Sequence, residues 1–145
     1  MKRMIYGALA LMLVVSGAAF AQITDIDDIQ YYDPATGDPA SPYDGQTVTV
    51  EGTLFVEKGI YNGGTHYIAD ATGGLNFYLT SAPPLVPGDV VQVTGSLATY
   101  GGEINIYNPS NVALISSGPE LEPISATIGE LLGDYEWVGN YVYSV

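Results

Sequence analysis

The chain of 145 residues contains no cysteine and a single histidine, His66. Disulfides, cysteine-based metal sites and thiol chemistry are therefore excluded. A Ser/His/Asp triad could use only His66, near the start of a predicted strand, where we expect a residue on the surface or rim of the sheet. The carboxylates are plentiful, but no pair of them has the sequence context of a glycosidase. The sequence therefore predicts a protein that is not an enzyme.

Positive charge is scarce, with three Lys and Arg against sixteen Asp and Glu and a formal net charge of −13. Two of the three bases are Lys2 and Arg3, so Lys58 is the one strong base in the rest of the chain. Such a balance repels polyanions, because phosphate neutralisation by Lys and Arg supplies most non-specific affinity for nucleic acids. Direct nucleic-acid binding is therefore disfavoured, and a solvated acidic surface is expected.

Long apolar runs are confined to the first 21 residues. A cationic start at Lys2 and Arg3 precedes an apolar run over residues 4–15, and an Ala-x-Ala motif ends at Ala21. This three-part layout predicts a secretory signal peptide over residues 1–21, cleaved before Gln22. The run is shorter than the ~20 residues that a membrane-spanning helix needs. We therefore expect a secreted, periplasmic or cell-surface protein without a membrane span after cleavage.

Two stretches, residues 45–52 and 87–95, alternate strictly between apolar and polar side chains, which is typical of strands with one buried face. Val48 and Val50 in the first, and Val91 and Val93 in the second, are expected to face a core. Gly52 and Gly95 fall on the same inward side, where a missing side chain lets a strand bend. Further strands are expected at about residues 66–69, 75–80 and 103–107, with a short final run at 112–115. Five strands joined by short turns predict an all-β protein, a small five-stranded Greek-key barrel over residues 22–117.

Three segments of this region resemble the OB-fold domains of bacterial extracellular nucleases and of other secreted multidomain proteins. They are residues 41–52 (SPYDGQTVTVEG), 67–75 (YIADATGGL) and 88–95 (GDVVQVTG), and the resemblance covers roughly residues 23–116. It implies an OB-fold-like accessory module, with hydrolysis carried out by a separate metal-dependent domain. This sequence differs from those domains in its charge. OB-folds that bind single-stranded nucleic acid line their groove with Lys and Arg, which are scarce here. Binding of nucleic acid as a nuclease accessory domain therefore stays the alternative function.

Tyrosine is the remaining candidate for ligand contact. Tyr67 and Tyr78 are expected to point outward from neighbouring strands, and Tyr100 and Tyr107 flank the last predicted strand. Exposed tyrosines on an acidic face could stack on sugar rings or on a protein partner. The alternative is that strands simply favour tyrosine. The partners that these residues predict are an extracellular glycan, or a protein or another domain of the same secreted protein.

One proline-rich acidic loop, residues 33–42, carries Asp33 and Asp38 with carbonyl groups between them. Hard oxygen ligands on a flexible loop suit Ca²⁺. The loop lacks the spacing of an EF-hand, and Asp-Pro and Gly-Asp are ordinary turn pairs, so an acidic turn is the alternative. The sequence predicts no other cofactor.

The last segment, residues 118–145, is expected to be a linker followed by the truncated start of a second copy of the domain. Residues 137–144 align without gaps on residues 43–50, and residues 124–128 are similar to residues 23–26. Chance alternation over so short a span is the alternative. Together these features predict an exported, non-catalytic binding or spacer module of a larger extracellular protein.

Overall fold

The computed structural model describes residues 22–126 and 142–144 of the chain. Within them lie a four-residue helix and eight strands: α1 (Ile26–Ile29), β1 (Thr47–Val56), β2 (Thr65–Ala69), β3 (Gly74–Tyr78), β4 (Asp89–Tyr100), β5 (Glu103–Tyr107), β6 (Asn111–Ser117), β7 (Ile124–Ala126) and β8 (Val142–Ser144). The five predicted strands are present. The predicted final run is longer than expected and forms β6.

Five of the strands pair in a closed ring. The hydrogen-bonded order β1-β2-β3-β5-β4 returns to its start because β4 also pairs with β1. Strands β3 and β5 run parallel, whereas the other pairs of the ring are antiparallel. Strand β6 adds to β4, so the whole is a six-stranded mixed sheet. The predicted all-β, OB-fold-like architecture is confirmed, as a five-strand ring with an extra strand rather than strictly a barrel.

The pairing partner of the long strand β4 changes from β6 to β5 near Gly95. Residues up to Thr94 pair with β6, and residues from Leu97 onward pair with β5. A Cβ atom on Gly95 would lie 2.5 Å from Ile106 Cγ2 and 2.9 Å from Pro109 Cα. Chain segments therefore approach each other across Gly95 more closely than any side chain would allow. The predicted inward placement of this glycine is confirmed.

The core lies inside the ring and is made of the inward sides of β1 to β5. The predicted inward valines Val48, Val50, Val91 and Val93 are buried. Helix α1 adds Ile26 and Ile29, which are fully buried in the same cluster. Its first amide, Ile26 N, donates to Asp70 Oδ2 at 2.9 Å in the β2–β3 turn. The lead-in segment is thereby held against the sheet and completes the core.

Beyond β6, strands β7 and β8 pair in parallel, with Ser125 opposite Tyr143. Ile23 likewise forms a parallel bridge to Thr49 in β1. The second copy stays a prediction, because residues 127–141 and 145 lie outside the described residues. The predicted signal peptide, residues 1–21, also lies outside them. In residues 22–126 and 142–144, no helix has the length and apolar character required to cross a membrane.

Candidate ligand-binding site

A groove of about 860 Å³ runs over the outer face of β2, β3 and β5. The β1–β2 loop closes one side of it, and the end of β4 with the β4–β5 turn closes another. The four tyrosines predicted to contact a ligand, Tyr67, Tyr78, Tyr100 and Tyr107, all line this groove. Residues from four separate segments of the chain are thus brought together. That they bind a ligand stays a prediction.

The tyrosine rings form two pairs along the groove. Tyr78 and Tyr107 occupy the same register position of the parallel β3–β5 pair, and their rings stack at 5.2 Å with an angle of 7°. Tyr61, from the β1–β2 loop, meets Tyr67 edge to face at 5.6 Å. Tyr107 is 55% exposed and Tyr100 is 79% exposed, so flat aromatic surface is open to solvent.

Sequence reasoning missed Tyr61, which lies in a loop where no strand period applies. The loop is shaped by Asn62, whose Oδ1 accepts hydrogen bonds from Gly64 N and Thr65 N at 3.0 and 2.9 Å. The ring of Tyr78 then lies directly over Gly64, where a Cβ atom would be 2.8 Å from the ring. An exposed aromatic residue beside the turn sequence Asn62-Gly63-Gly64 is the signal that could have identified Tyr61.

Polar side chains lie between the tyrosines; we call Tyr67, Asn76, Glu103 and Asn105 the polar cluster. Asn76 Nδ2 donates to Glu103 Oε2 at 2.5 Å, and the Tyr67 hydroxyl donates to the same oxygen at 3.5 Å. Asn105 stands opposite Asn76 in the β3–β5 register and is only 5% exposed. Its Oδ1 is buried and has no hydrogen-bond partner within the described part of the chain. A buried acceptor of this kind is costly unless a ligand or water satisfies it.

The groove is negative in charge. Of the described residues that line it, Glu103 is acidic, and none is Lys, Arg or His. Burial raises the pKa of the Tyr67 phenol, and the negative charge of Glu103 raises it further. The phenol therefore stays protonated and can serve as a hydrogen-bond donor.

His66 lies inside the protein, so its expected position on the surface or rim of the sheet is wrong. It is 1% exposed, its ring stacks on Phe77 at 4.5 Å, and Nδ1 lies 2.9 Å from Gly64 O. The side chain falls on the same side of β2 as the buried Ile68. Strand alternation therefore turns His66 into the core.

Burial lowers the pKa of His66, so a pH dependence of stability is expected. A histidine kept neutral in the fold contributes stability that is present above its unfolded pKa of about 6.5 and is lost as pH falls from there to the folded-state pKa. Thermal midpoints measured from about pH 7.5 to 5 should fall in the wild type and fall less in His66→Phe. Because His66 is the chain's one histidine, equal slopes in the two proteins would contradict its buried position.

The residues predicted to bind calcium, Asp33 and Asp38, form a hydrogen-bonded turn away from the groove. Asp33 N donates to Asp38 O at 2.8 Å, and Asp33 Oδ1 accepts from Ala35 N at 2.8 Å. No group of three or more His, Asp or Glu side chains that could hold a metal ion occurs among residues 22–126 and 142–144. The local hydrogen bond explains the Asp33 carboxylate as part of the turn, and calcium binding by Asp33 and Asp38 stays a prediction.

A second, smaller cavity of about 470 Å³ lies near the start of β1. Thr24, Gln46 and Thr94 contribute to its wall, and Tyr43 is its aromatic residue. The Thr94 hydroxyl is already hydrogen-bonded to that of Thr49 at 2.9 Å. The described residues of its wall include one aromatic ring and no charged side chain, so this cavity offers a ligand less than the groove does.

No protein-family model and no curated protein sequence matches this chain. Among solved structures, the chain is similar to the hypothetical protein ygiW from E. coli. The two are 17% identical, the match covers 65% of this chain and 90% of that chain, and the TM-score is 0.49. The description of the fold therefore rests on the strand pairing of this chain itself.

Proposed function

We propose that this chain is an exported, non-catalytic module whose groove binds a carbohydrate chain. The observation that carries the proposal is the line of tyrosine rings beside buried amide groups in one groove. Sugar rings have apolar faces and polar edges, so they stack on aromatic rings while their hydroxyls meet Asn and Glu side chains. The export predicted from residues 1–21 belongs to the same proposal, because it would place the groove among extracellular glycans.

The position of the groove on the ring supports this proposal. OB-folds bind oligosaccharides and oligonucleotides on the face of their second and third strands and on the adjoining loops. The groove here lies on β2 and β3, with Tyr61 from the β1–β2 loop and Tyr100 at the β4–β5 turn. The fold alone does not choose between the two ligands, so the choice depends on the side chains in the groove.

Charge favours the carbohydrate over the nucleic acid. A single-stranded nucleic acid needs Lys and Arg along its backbone, and its affinity falls as salt rises. Among the described residues the one Lys or Arg is Lys58, which is exposed in the β1–β2 loop and does not line the groove. Glu103, which does line it, would repel a phosphate. An uncharged glycan meets no such penalty. The alternative, nucleic-acid binding as the accessory domain of a nuclease, is therefore tested as one possible result of the experiment below.

The test is glycan-array screening of the purified protein, followed by calorimetry with the best ligand on Tyr107→Ala. Loss of an exposed stacking ring should weaken binding by about 1–2 kcal/mol, or about 5- to 30-fold. The matched control is Tyr31→Ala, because Tyr31 is 52% exposed and lies outside the groove. That variant should bind within about twofold of the wild type, since surface substitutions away from a site have small effects.

Three results would count against the proposal. An array without any bound glycan removes it, as does a Tyr107→Ala variant that binds as tightly as Tyr31→Ala. Single-stranded DNA that binds at low salt and dissociates as salt rises would instead support the nuclease accessory role.

A further inference from the structure

Each donor atom of the polar cluster already has an acceptor in the protein, and the cluster has acceptor capacity left over. Asn76 Nδ2 donates to Glu103 Oε2, the Tyr67 hydroxyl donates to the same oxygen, and Asn105 Nδ2 donates to the Glu103 carbonyl at 3.4 Å. The Asn105 Oδ1 atom has no partner among the described residues, and a carboxylate has more lone pairs than these donors occupy. A ligand group that satisfies these remaining acceptors must donate hydrogen bonds.

We propose that the groove selects a carbohydrate with free amino groups, so that a protonated sugar amine lies against the exposed Glu103 carboxylate, beside the side chain of Asn105. The inference rests on the proposed carbohydrate-binding function and adds the chemistry that decides between sugars. An ammonium group has three donors and no acceptor, whereas a sugar hydroxyl has both. The ammonium is thus the better match for a cluster of acceptors.

The surroundings of the cluster also favour positive charge. Tyr61, Tyr78 and Tyr107 line the same groove, and the faces of aromatic rings attract cations. No lysine, arginine or histidine within the described ranges lines the groove to oppose such a ligand. Sugars with carboxylate or sulfate groups would meet Glu103 and be repelled. In this arrangement the aromatic rings stack on the sugar, and the polar cluster accepts hydrogen bonds from its amine.

The experiment compares two oligosaccharides of equal length, one of β-1,4-linked glucosamine and one of its N-acetylated form. Titrations are made near pH 6, on the acidic side of the pKa of about 8 that an α-amino group has, so that the sugar amine, which also lies beside electron-withdrawing substituents, is largely protonated. The glucosamine oligomer should bind about tenfold more tightly, since charge-assisted hydrogen bonds are about twice as strong as neutral ones. In Glu103→Gln, which keeps an acceptor for Asn76 and removes the charge, this ratio should fall to about 2 or less.

Two controls separate recognition from general attraction to an acidic protein. Glu51→Gln removes one negative charge from β1 outside the groove and should leave the ratio at about its wild-type value. A lysine oligomer of the same charge as the glucosamine oligomer should bind at least about tenfold more weakly, because it lacks sugar rings to stack.

The outcomes distinguish this inference from the proposed function. If neither oligosaccharide nor any glycan on the array binds, the carbohydrate proposal fails and the inference fails with it. If the acetylated oligomer binds as tightly as the free amine, carbohydrate binding stands and the amine preference is overturned. The amine preference is also overturned if the ratio of the two affinities is unchanged in Glu103→Gln. It is overturned as well if the lysine oligomer binds as tightly as the glucosamine oligomer.

Discussion

Replacing Asp70 with alanine is expected to lower the free energy of unfolding by about 2–3 kcal/mol. Asp70 Oδ1 accepts hydrogen bonds from Thr72 N, Thr72 Oγ1 and Gly73 N at 2.7, 2.6 and 2.9 Å. Its Oδ2 accepts from Ile26 N at 2.9 Å. One carboxylate therefore shapes the β2–β3 turn and joins it to α1, and its removal leaves four donors without their acceptor.

The measurement is urea unfolding of Asp70→Ala, Asp70→Asn and Asp44→Ala beside the wild type. Asp44 is exposed on a turn, so its replacement should change stability by no more than about 0.5 kcal/mol. Asp70→Asn retains one acceptor oxygen without the charge and should lie between the wild type and the alanine variant. A stability of Asp70→Ala equal to that of Asp44→Ala would contradict the role given to this carboxylate.

The contribution of Asp70 should also depend on pH. Burial acts to raise the pKa of its carboxyl, but the hydrogen bonds from Thr72, Ile26 N and Gly73 N outweigh burial and hold the pKa below its ordinary value. The stabilisation is thus present above the unfolded pKa of about 4 and is lost as pH falls through the folded-state pKa. The stability difference between wild type and Asp70→Ala should therefore shrink as pH falls from about 6 towards 3.

The second large effect is expected at Gly95, where alanine should cost about 1–3 kcal/mol of stability. The added methyl group would lie 2.5 Å from Ile106 Cγ2 and 2.9 Å from Pro109 Cα. A side chain can rotate away, but the backbone at Pro109 must shift, and β4 changes partners at this place. Overpacking in a well-filled interior forces such movements and destabilises the fold.

Gly63→Ala is the matched control for Gly95→Ala. A Cβ atom on Gly63, in the β1–β2 loop, meets no atom within 4 Å. The control should unfold at nearly the wild-type urea concentration, and Gly95→Ala should unfold earlier with an unchanged slope. Equal midpoints for the two variants would mean that chain segments do not approach each other closely across Gly95.

Much of the five-strand ring could be predicted, because the alternation of apolar and polar residues along a strand indicates which side chains are buried. Val48, Val50, Val91 and Val93 were expected to face inward, and all are buried. The outward positions of Tyr67 and Tyr78 follow from the same period, since their strand neighbours Ile68 and Phe77 are fully buried. The same alternation places His66 on the buried side of β2 with Ile68, in agreement with the structure and against a position on the surface.

Other features could not be predicted because no local pattern encodes them. Helix α1 has only four residues, too few to show a helical period, yet Ile26 and Ile29 complete the core. The link between Asp70 and Ile26 N spans 44 positions and depends on tertiary folding. Likewise, Asn76 and Asn105 meet only through the parallel β3–β5 register, so the polar cluster has no counterpart in the linear sequence.

The most direct test of the account is an amide ¹H–¹⁵N correlation spectrum recorded while the glucosamine oligomer is titrated into the protein. The account predicts that shifts concentrate on β2, β3 and β5, with Tyr67, Asn76 and Asn105 among the amides that move furthest. Amides at the second cavity, such as those of Thr24, Gln46 and Thr94, should stay in place. Shifts centred on that cavity, or a spectrum that does not change at all, would contradict the tyrosine groove as the binding site.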